Sequence, residues 1–187
     1  MRRSRLTVAF ARRTIGAMPL DDETADRWLE MEVRGLLLDP AAETPVLLLQ
    51  EVGGTIVLPI WIGQAEANAI AVALEGIREP RPMTHDLMLR ILRELAADLL
   101  RVEVWALREG TFYGRLVLRR GGEETVVDAR PSDAIALAVR TGATIRVAQA
   151  VIDQALDLDL ATVGEVEERL REWLEKARPE DLGKYTM

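Results

Sequence analysis

Apolar residues along this chain gather into short runs whose spacing changes from strand-like to helix-like in blocks. Val33 with Leu36 to Leu38, Val46 to Leu49, and the Ile- and Val-rich stretch 55–61 predict three strands over 33–38, 45–50 and 55–61. Asp39-Pro40 ends the first, and Gly53-Gly54 provides a hairpin turn between the second and third. From Gln64 the period lengthens. Ala65, Ala69, Ile70, Ala73 and Leu74 predict a helix over 64–76, after which Pro80 and Pro82 keep the chain extended. Thr84 has the character of an N-cap for a second helix over 84–99, with Leu87, Ile91, Leu92 and Leu95 as its buried stripe.

Three more strands are expected at 102–107, 112–119 and 125–128, turning at Arg108-Glu109-Gly110 and Gly121-Gly122. A helix then runs from Pro131 to Gly142, a strand over 144–147 and a short helix over 148–156. A charged helix over 163–178 carries Val166, Leu170, Trp173 and Leu174 as an apolar stripe in need of a partner surface. This order implies an α+β fold: a mixed, largely antiparallel sheet with helices packed on it, in a single domain over 29–158. Residues 1–28, basic and then acidic, are expected to be a flexible extension with at most a short helix over 24–31. Residues 159–187 are expected to pack on the domain or on a partner subunit.

Composition narrows the chemistry. The 187 residues contain no cysteine and one histidine, which excludes thiolate metal sites, a cysteine nucleophile and a multi-histidine zinc site within one chain. Any metal has to be held by oxygen, which favours magnesium, manganese or calcium. A net charge of −7 argues against a protein that coats nucleic acid, though not against a nuclease with a local basic path. No apolar run approaches the roughly eighteen residues of a membrane span, and the arginines before residue 14 break up any secretory core, so a cytoplasmic location is expected.

The densest chemistry lies at 128–138. Asp128, Arg130, Ser132 and Asp133 crowd the passage from a strand end into a helix, with Pro131 suited to the first turn. Alternation would place Asp128, Arg130 and Ser132 on one side. The same residues also suit helix capping and first-turn dipole stabilisation.

The ordered motifs Leu58-Pro59-Ile60-Trp61-Ile62-Gly63, Glu66-Ala67, Pro80-Arg81-Pro82, Thr84-His85-Asp86-Leu87, Gly110-Thr111-Phe112-Tyr113 and Asp128 through Leu137 resemble the bifunctional nuclease domain family. The resemblance covers about 31–155 and extends toward Pro179-Glu180-Asp181. It implies an α+β fold, hydrolysis of both DNA and RNA, and self-association, with a homodimer expected. Two departures stand out: Asn68 where many members carry a second acid after Glu66, and Ala96-Ala97 in place of Gly-Ala.

Phosphodiester hydrolysis needs an activated water, charge relief at phosphorus and help for the leaving oxygen, which carboxylate-held metals supply. The expected catalytic set is His85, Asp86, Asp128 and Asp133. Asp128, Asp133 and Glu66 would ligate magnesium or manganese, and Arg130, Arg81 and Ser132 would bind phosphate. His85 suits proton transfer near neutral pH, or equally a bond to a neighbouring carboxylate. Arg130 suits phosphate or an ion pair with Asp128 or Asp133, and Ser132 is otherwise a capping hydroxyl. The expected function is a divalent-metal-dependent nuclease of low sequence specificity acting on DNA and RNA. The alternative is a non-enzymatic, self-associating module for a small anion or a protein partner. A hydrolase of small phosphorylated metabolites is a third reading. Clustering of Asp86, Asp128 and Asp133 in an open cleft would favour an enzyme.

Overall fold

The computed structural model describes residues 27–39, 43–158 and 162–163. Within them the order is β1 (Trp28–Asp39), β2 (Thr44–Glu51), β3 (Ile56–Trp61), α1 (Gln64–Leu74), α2 (Thr84–Glu94), β4 (Ala97–Arg108), β5 (Thr111–Arg120), β6 (Glu123–Ala129), α3 (Pro131–Thr141), β7 (Thr144–Ala148), α4 (Gln149–Asp157) and the two-residue β8 (Thr162–Val163). The strands form one sheet in the order β6-β5-β4-β7-β1-β2-β3-β8. Every neighbouring pair is antiparallel except β4 with β7, whose connection runs through β5, β6 and α3. The fold is therefore α+β, a single domain with a largely antiparallel open sheet.

All four helices lie on one face of the sheet. Alternate strand residues (Leu47 and Leu49, Leu58 and Ile60, Val102 and Val104, Ile145 and Val147) form one core with Ile70 of α1, Leu89 of α2, Ile135 of α3 and Ile152 of α4. The central helix α3 is apolar on every side from Ala134 to Ala138 because it is buried from end to end. Gly142, at φ 72°, closes it in the left-handed conformation that a residue without a Cβ adopts freely. Gly114 lets β5 pass close to the start of α3: a Cβ there would stand 2.9 Å from the Ala129 carbonyl oxygen and the Pro131 nitrogen.

On the opposite face Val46, Leu48 and Val57 make a small cluster of their own. On the same face at the β4–β5 end of the sheet, Glu103 and Arg115 form a buried ion pair at 2.6 Å, extended by Arg101 at 2.7 Å from Glu103. The Arg115 guanidinium lies between the rings of Trp28 and Trp105. Arg115 and Arg119, two positions apart on neither end of their strand but within one face, share this side of β5, and Arg115 is buried in its ion pair.

Three local expectations are corrected. The second helix stops at Glu94 instead of residue 99, because Ala96 turns left-handed (φ 53°) and the chain enters β4 at Ala97. Its buried side is also different: Leu87, Ile91 and Leu95 are exposed, and His85 and Leu89 face the core. Of the expected stripe only Leu92 packs on the core, one helix turn after Leu89 on the same side. The first strand begins at Trp28, so the expected short helix over 24–31 gives way to strand where it is described. The N-terminal extension and the helix over 163–178 fall almost wholly outside the described residues.

Candidate active site

Three helices frame an open cleft of about 690 Å³ on the helix-bearing face of the sheet. One wall is α1, with Glu66 and Asn68. The other is the N-terminal turn of α2, with Thr84 and His85. Arg130, Asp133 and Arg140 of the α3 segment line its floor.

Each side chain reaches this place for a local reason. Gly63 and the end of β3 start α1, which puts Glu66 in its first turn. Asp86 occupies the third position of α2 and accepts the Met83 backbone N–H at 3.0 Å, tying down the helix start. Met83 is therefore the cap residue, and Thr84 is the first residue inside the helix. Pro131 opens α3 as expected, leaving Arg130 at its N-cap in an extended conformation and Asp133 in its first turn.

The first-turn residues are joined in a continuous chain. His85 Nε2 and Asp133 Oδ1 lie 3.2 Å apart. The other oxygen of Asp133 accepts from Arg130 Nε at 2.7 Å, and Arg130 Nη2 lies 2.7 Å from Glu66 Oε1. Two helix turns further along α3, Arg140 makes a second connection. It donates to Asp86 Oδ1 at 2.9 Å, to the Ala69 carbonyl of α1 at 2.9 Å and to the Ala136 carbonyl of its own helix at 2.8 Å. Arg140 thus fastens α1, α2 and α3 together beside the Glu66–Arg130–Asp133–His85 chain.

The electrostatics follow from these contacts. Partial burial pushes the Asp133 carboxyl up, but the hydrogen bonds from Arg130 and His85 outweigh it and hold the group below the ordinary aspartate value. Asp86 behaves alike: burial raises it, while Arg140 and the Met83 N–H bring it down on balance. The hydrogen bonds from Arg130 to Asp133 and Glu66 raise its already high value further, so it is cationic throughout. Glu75 and Glu79 also line the cleft, which leaves its walls richer in carboxylate than in guanidinium.

The expected site residues divide accordingly. Glu66, His85, Arg130 and Asp133 come together. Asp86 lies alongside but is bound to Arg140. Ser132 is buried at the start of α3. Arg81 is exposed in the connection between α1 and α2, outside the residues lining the cleft. Asp128 is in register with Arg115 across the β5–β6 pair, so it shares the sheet face turned away from the helices. The expected alignment of Asp128 with Arg130 and Ser132 fails because the strand ends at Ala129 and its alternation ends there too. Among the described residues, no three histidine or carboxylate side chains are gathered as a metal-binding cluster. Asn68, where a second acid was noted as absent, lines the cleft and accepts from Gln64 at 3.0 Å.

Arg140 is the residue that sequence reasoning missed. Its signal was a lone cation ending an apolar helix, seven positions and thus two turns beyond Asp133, on the same side.

The class of protein is thus an α+β domain whose open sheet is covered on one face by helices, with an acid–imidazole–guanidinium chain in a cleft between three of them. The sequence comparisons make it specific. Residues 47–157 match the bifunctional nuclease domain, and the chain belongs to that family. An uncharacterized protein of Mycobacterium tuberculosis, found in two strains, is 42% identical over 162 residues, covering 82% of this chain and 97% of its own length. Bifunctional nuclease 1 of rice, Oryza sativa, is 31% identical over 114 residues, 59% of this chain and 34% of its own length. No helix among the described residues is long and apolar enough to cross a membrane.

Proposed function

We propose that this chain hydrolyses phosphodiester bonds in DNA and RNA with low sequence specificity, at the cleft between α1, α2 and α3. The observation that carries the reading is the Glu66–Arg130–Asp133–His85 chain at the head of that cleft. Arg130 presents a planar guanidinium with donors suited to two phosphate oxygens. Asp133 accepts from His85 Nε2, which fixes the ring and leaves Nδ1 as the basic atom for an attacking water. Membership in the family and the likeness to the rice protein support nucleic acid as the substrate class.

Glu66 and Asp133 both contact the Arg130 guanidinium, which puts two carboxylates at one place in the cleft. They are the residues that would hold magnesium or manganese, which when bound supplies Lewis-acid charge relief at the phosphate. Asp128 has no part in this set.

Cleavage of supercoiled plasmid and of single-stranded RNA by the wild type and by Asp133→Asn, with and without magnesium or manganese, tests the reading. The expected result is cleavage that falls by about 100-fold or more in Asp133→Asn while its melting curve stays cooperative. Undiminished cleavage by a folded Asp133→Asn would sink it. The pairing of both cleft arginines with carboxylates favours the binding module as second reading. Nucleotide binding without cleavage under either metal would establish that module instead. The proposal carries with it a cytoplasmic location and a homodimer. The exposed Leu87, Met88 and Ile91 of α2, with Leu95 just after it, support self-association, which sedimentation velocity measures directly.

A further inference from the structure

We infer that residues 164–178 of this same chain lie across the sheet face turned away from the helices, with Val166, Leu170, Trp173 and Leu174 seated on the Val46–Leu48–Val57 patch. The inference is independent of the phosphodiester reading of the cleft.

An antiparallel sheet face that is left to water carries polar side chains. Here Val46, Leu48 and Val57 are 7%, 3% and 4% exposed, although all four helices pack on the opposite face. Among the described residues, Leu37 of β1 is the apolar neighbour that packs against this cluster. Neighbours within a sheet flank a side chain without roofing it. The cover therefore comes from beyond the described residues.

The course of the chain says which segment supplies it. β8 pairs with the edge of β3, Thr162 beside Val57 and Val163 beside Ile56, so the chain leaves the described residues at the border of the patch. Gly164 follows at once, and glycine turns the backbone at little steric cost. Val166, Leu170, Trp173 and Leu174 then recur at helical spacing, and that spacing sets Glu168, Arg171, Glu172 and Glu175 on the other side. The dimensions agree. From Val57 on β3 through Leu48 on β2 to Leu37 on β1 is about 10 Å across the strands, and a helical stripe from Val166 to Leu174 is about 12 Å long. The N-terminal stretch is placed less well. It enters β1 at Trp28, beside Ala148 of β7, about 30 Å along the strand from Leu37.

Reactivity of a single thiol tests this, because the chain has no cysteine of its own. Val57→Cys nearly conserves volume and puts the thiol in the patch. Its reaction with 5,5′-dithiobis(2-nitrobenzoate) is followed in the full chain, alone and with Leu170→Glu and Leu174→Glu added. The two glutamates are expected to speed the reaction about tenfold or more while melting stays cooperative, as release of a local cover would. Leu170→Ala with Leu174→Ala, which removes packing without adding charge, is expected to give an intermediate rate. Glu168→Gln with Glu172→Gln is expected to leave the rate unchanged. Protection should also be equal between about 1 and 100 μM protein, since a cover from the same chain is not lost on dilution. Equal rates with and without the two glutamates would overturn the inference and turn attention to residues 1–26. Protection that vanishes on dilution would overturn it in favour of a second copy of the chain.

Discussion

His85 Nε2 and Asp133 Oδ1 are 3.2 Å apart although 48 positions separate them in the chain. The contact ties the first turn of α2 to the first turn of α3, and His85 is buried while doing so. A histidine that only decorated a helix start would face water. This one joins two helix ends at the head of a cleft.

Removing either partner should therefore disable the site more than the fold. His85→Ala is expected to lower DNA and RNA cleavage by about 100- to 10,000-fold, the range for a positioned proton-transfer group. Because His85 is the sole histidine, its ring nitrogen resonances are assigned without ambiguity. In Asp133→Asn they are expected to shift from the pattern of a single tautomer toward a mixture. Ring signals identical to the wild type would show that Asp133 does not orient the imidazole.

Arg140 should matter for stability and for the site together. Arg140→Met leaves the Ala69 carbonyl and Asp86 Oδ1 without their arginine donor, at a cost of about 2 kcal/mol in urea unfolding. Arg140→Lys has one cationic centre for three acceptors and is expected to recover only part of that loss. A change below about 0.5 kcal/mol for Arg140→Met, the usual range of surface substitutions, would show that it does not fasten the three helices.

Acid should loosen the same region. Asp86 and Asp133 are held below the ordinary aspartate value in the folded chain, so the unfolded chain binds more protons in mildly acid solution. Their contribution is fully present above about pH 4 to 5 and is lost as the pH falls through the depressed native values. Unfolding free energy measured from pH 6 down to pH 3 is expected to fall, and Asp86→Asn to fall less steeply. Parallel slopes for the two proteins would contradict this origin.

Gly114→Ala probes how tightly β5 fits the start of α3. Its methyl group would press on backbone atoms of Ala129 and Pro131, which have no rotamer to change. Overpacking of this kind costs about 1–3 kcal/mol, read as a lowered urea midpoint. Since the displaced backbone precedes Asp133, cleavage should decline along with stability. A neutral substitution would mean that the β5–α3 approach is looser than described.

Much of the architecture was legible because it is written in local periods. Alternation over 45–50 and 55–61 and the helical spacing after Gln64 mark elements found almost where expected, at Thr44–Glu51, Ile56–Trp61 and Gln64–Leu74. Pro131 and Gly142 bracket α3 for stereochemical reasons that act over one residue. The end of α2 was less legible, since Leu95 to Leu99 continues the apolar pattern while Ala96 alone reverses the backbone. The inward side of that helix differs from its most apolar one, since His85, Leu89 and Leu92 face the core while Leu87 and Ile91 face out.

The sequence by itself determined the elements, their order, the family and the short list of chemistry-bearing residues, all properties of neighbours in the chain. Only the tertiary structure decided which of those residues meet. Asp128 lies five positions before Asp133, yet β-strand alternation turns it to the far face of the sheet. Glu66 and His85 are distant in sequence, yet helix packing on one face brings both to Arg130 and Asp133. Adjacency in a chain sets spacing along one element. Convergence of three helix ends depends on how the buried faces of those helices pack against one another and the sheet, and that is a property of the whole core.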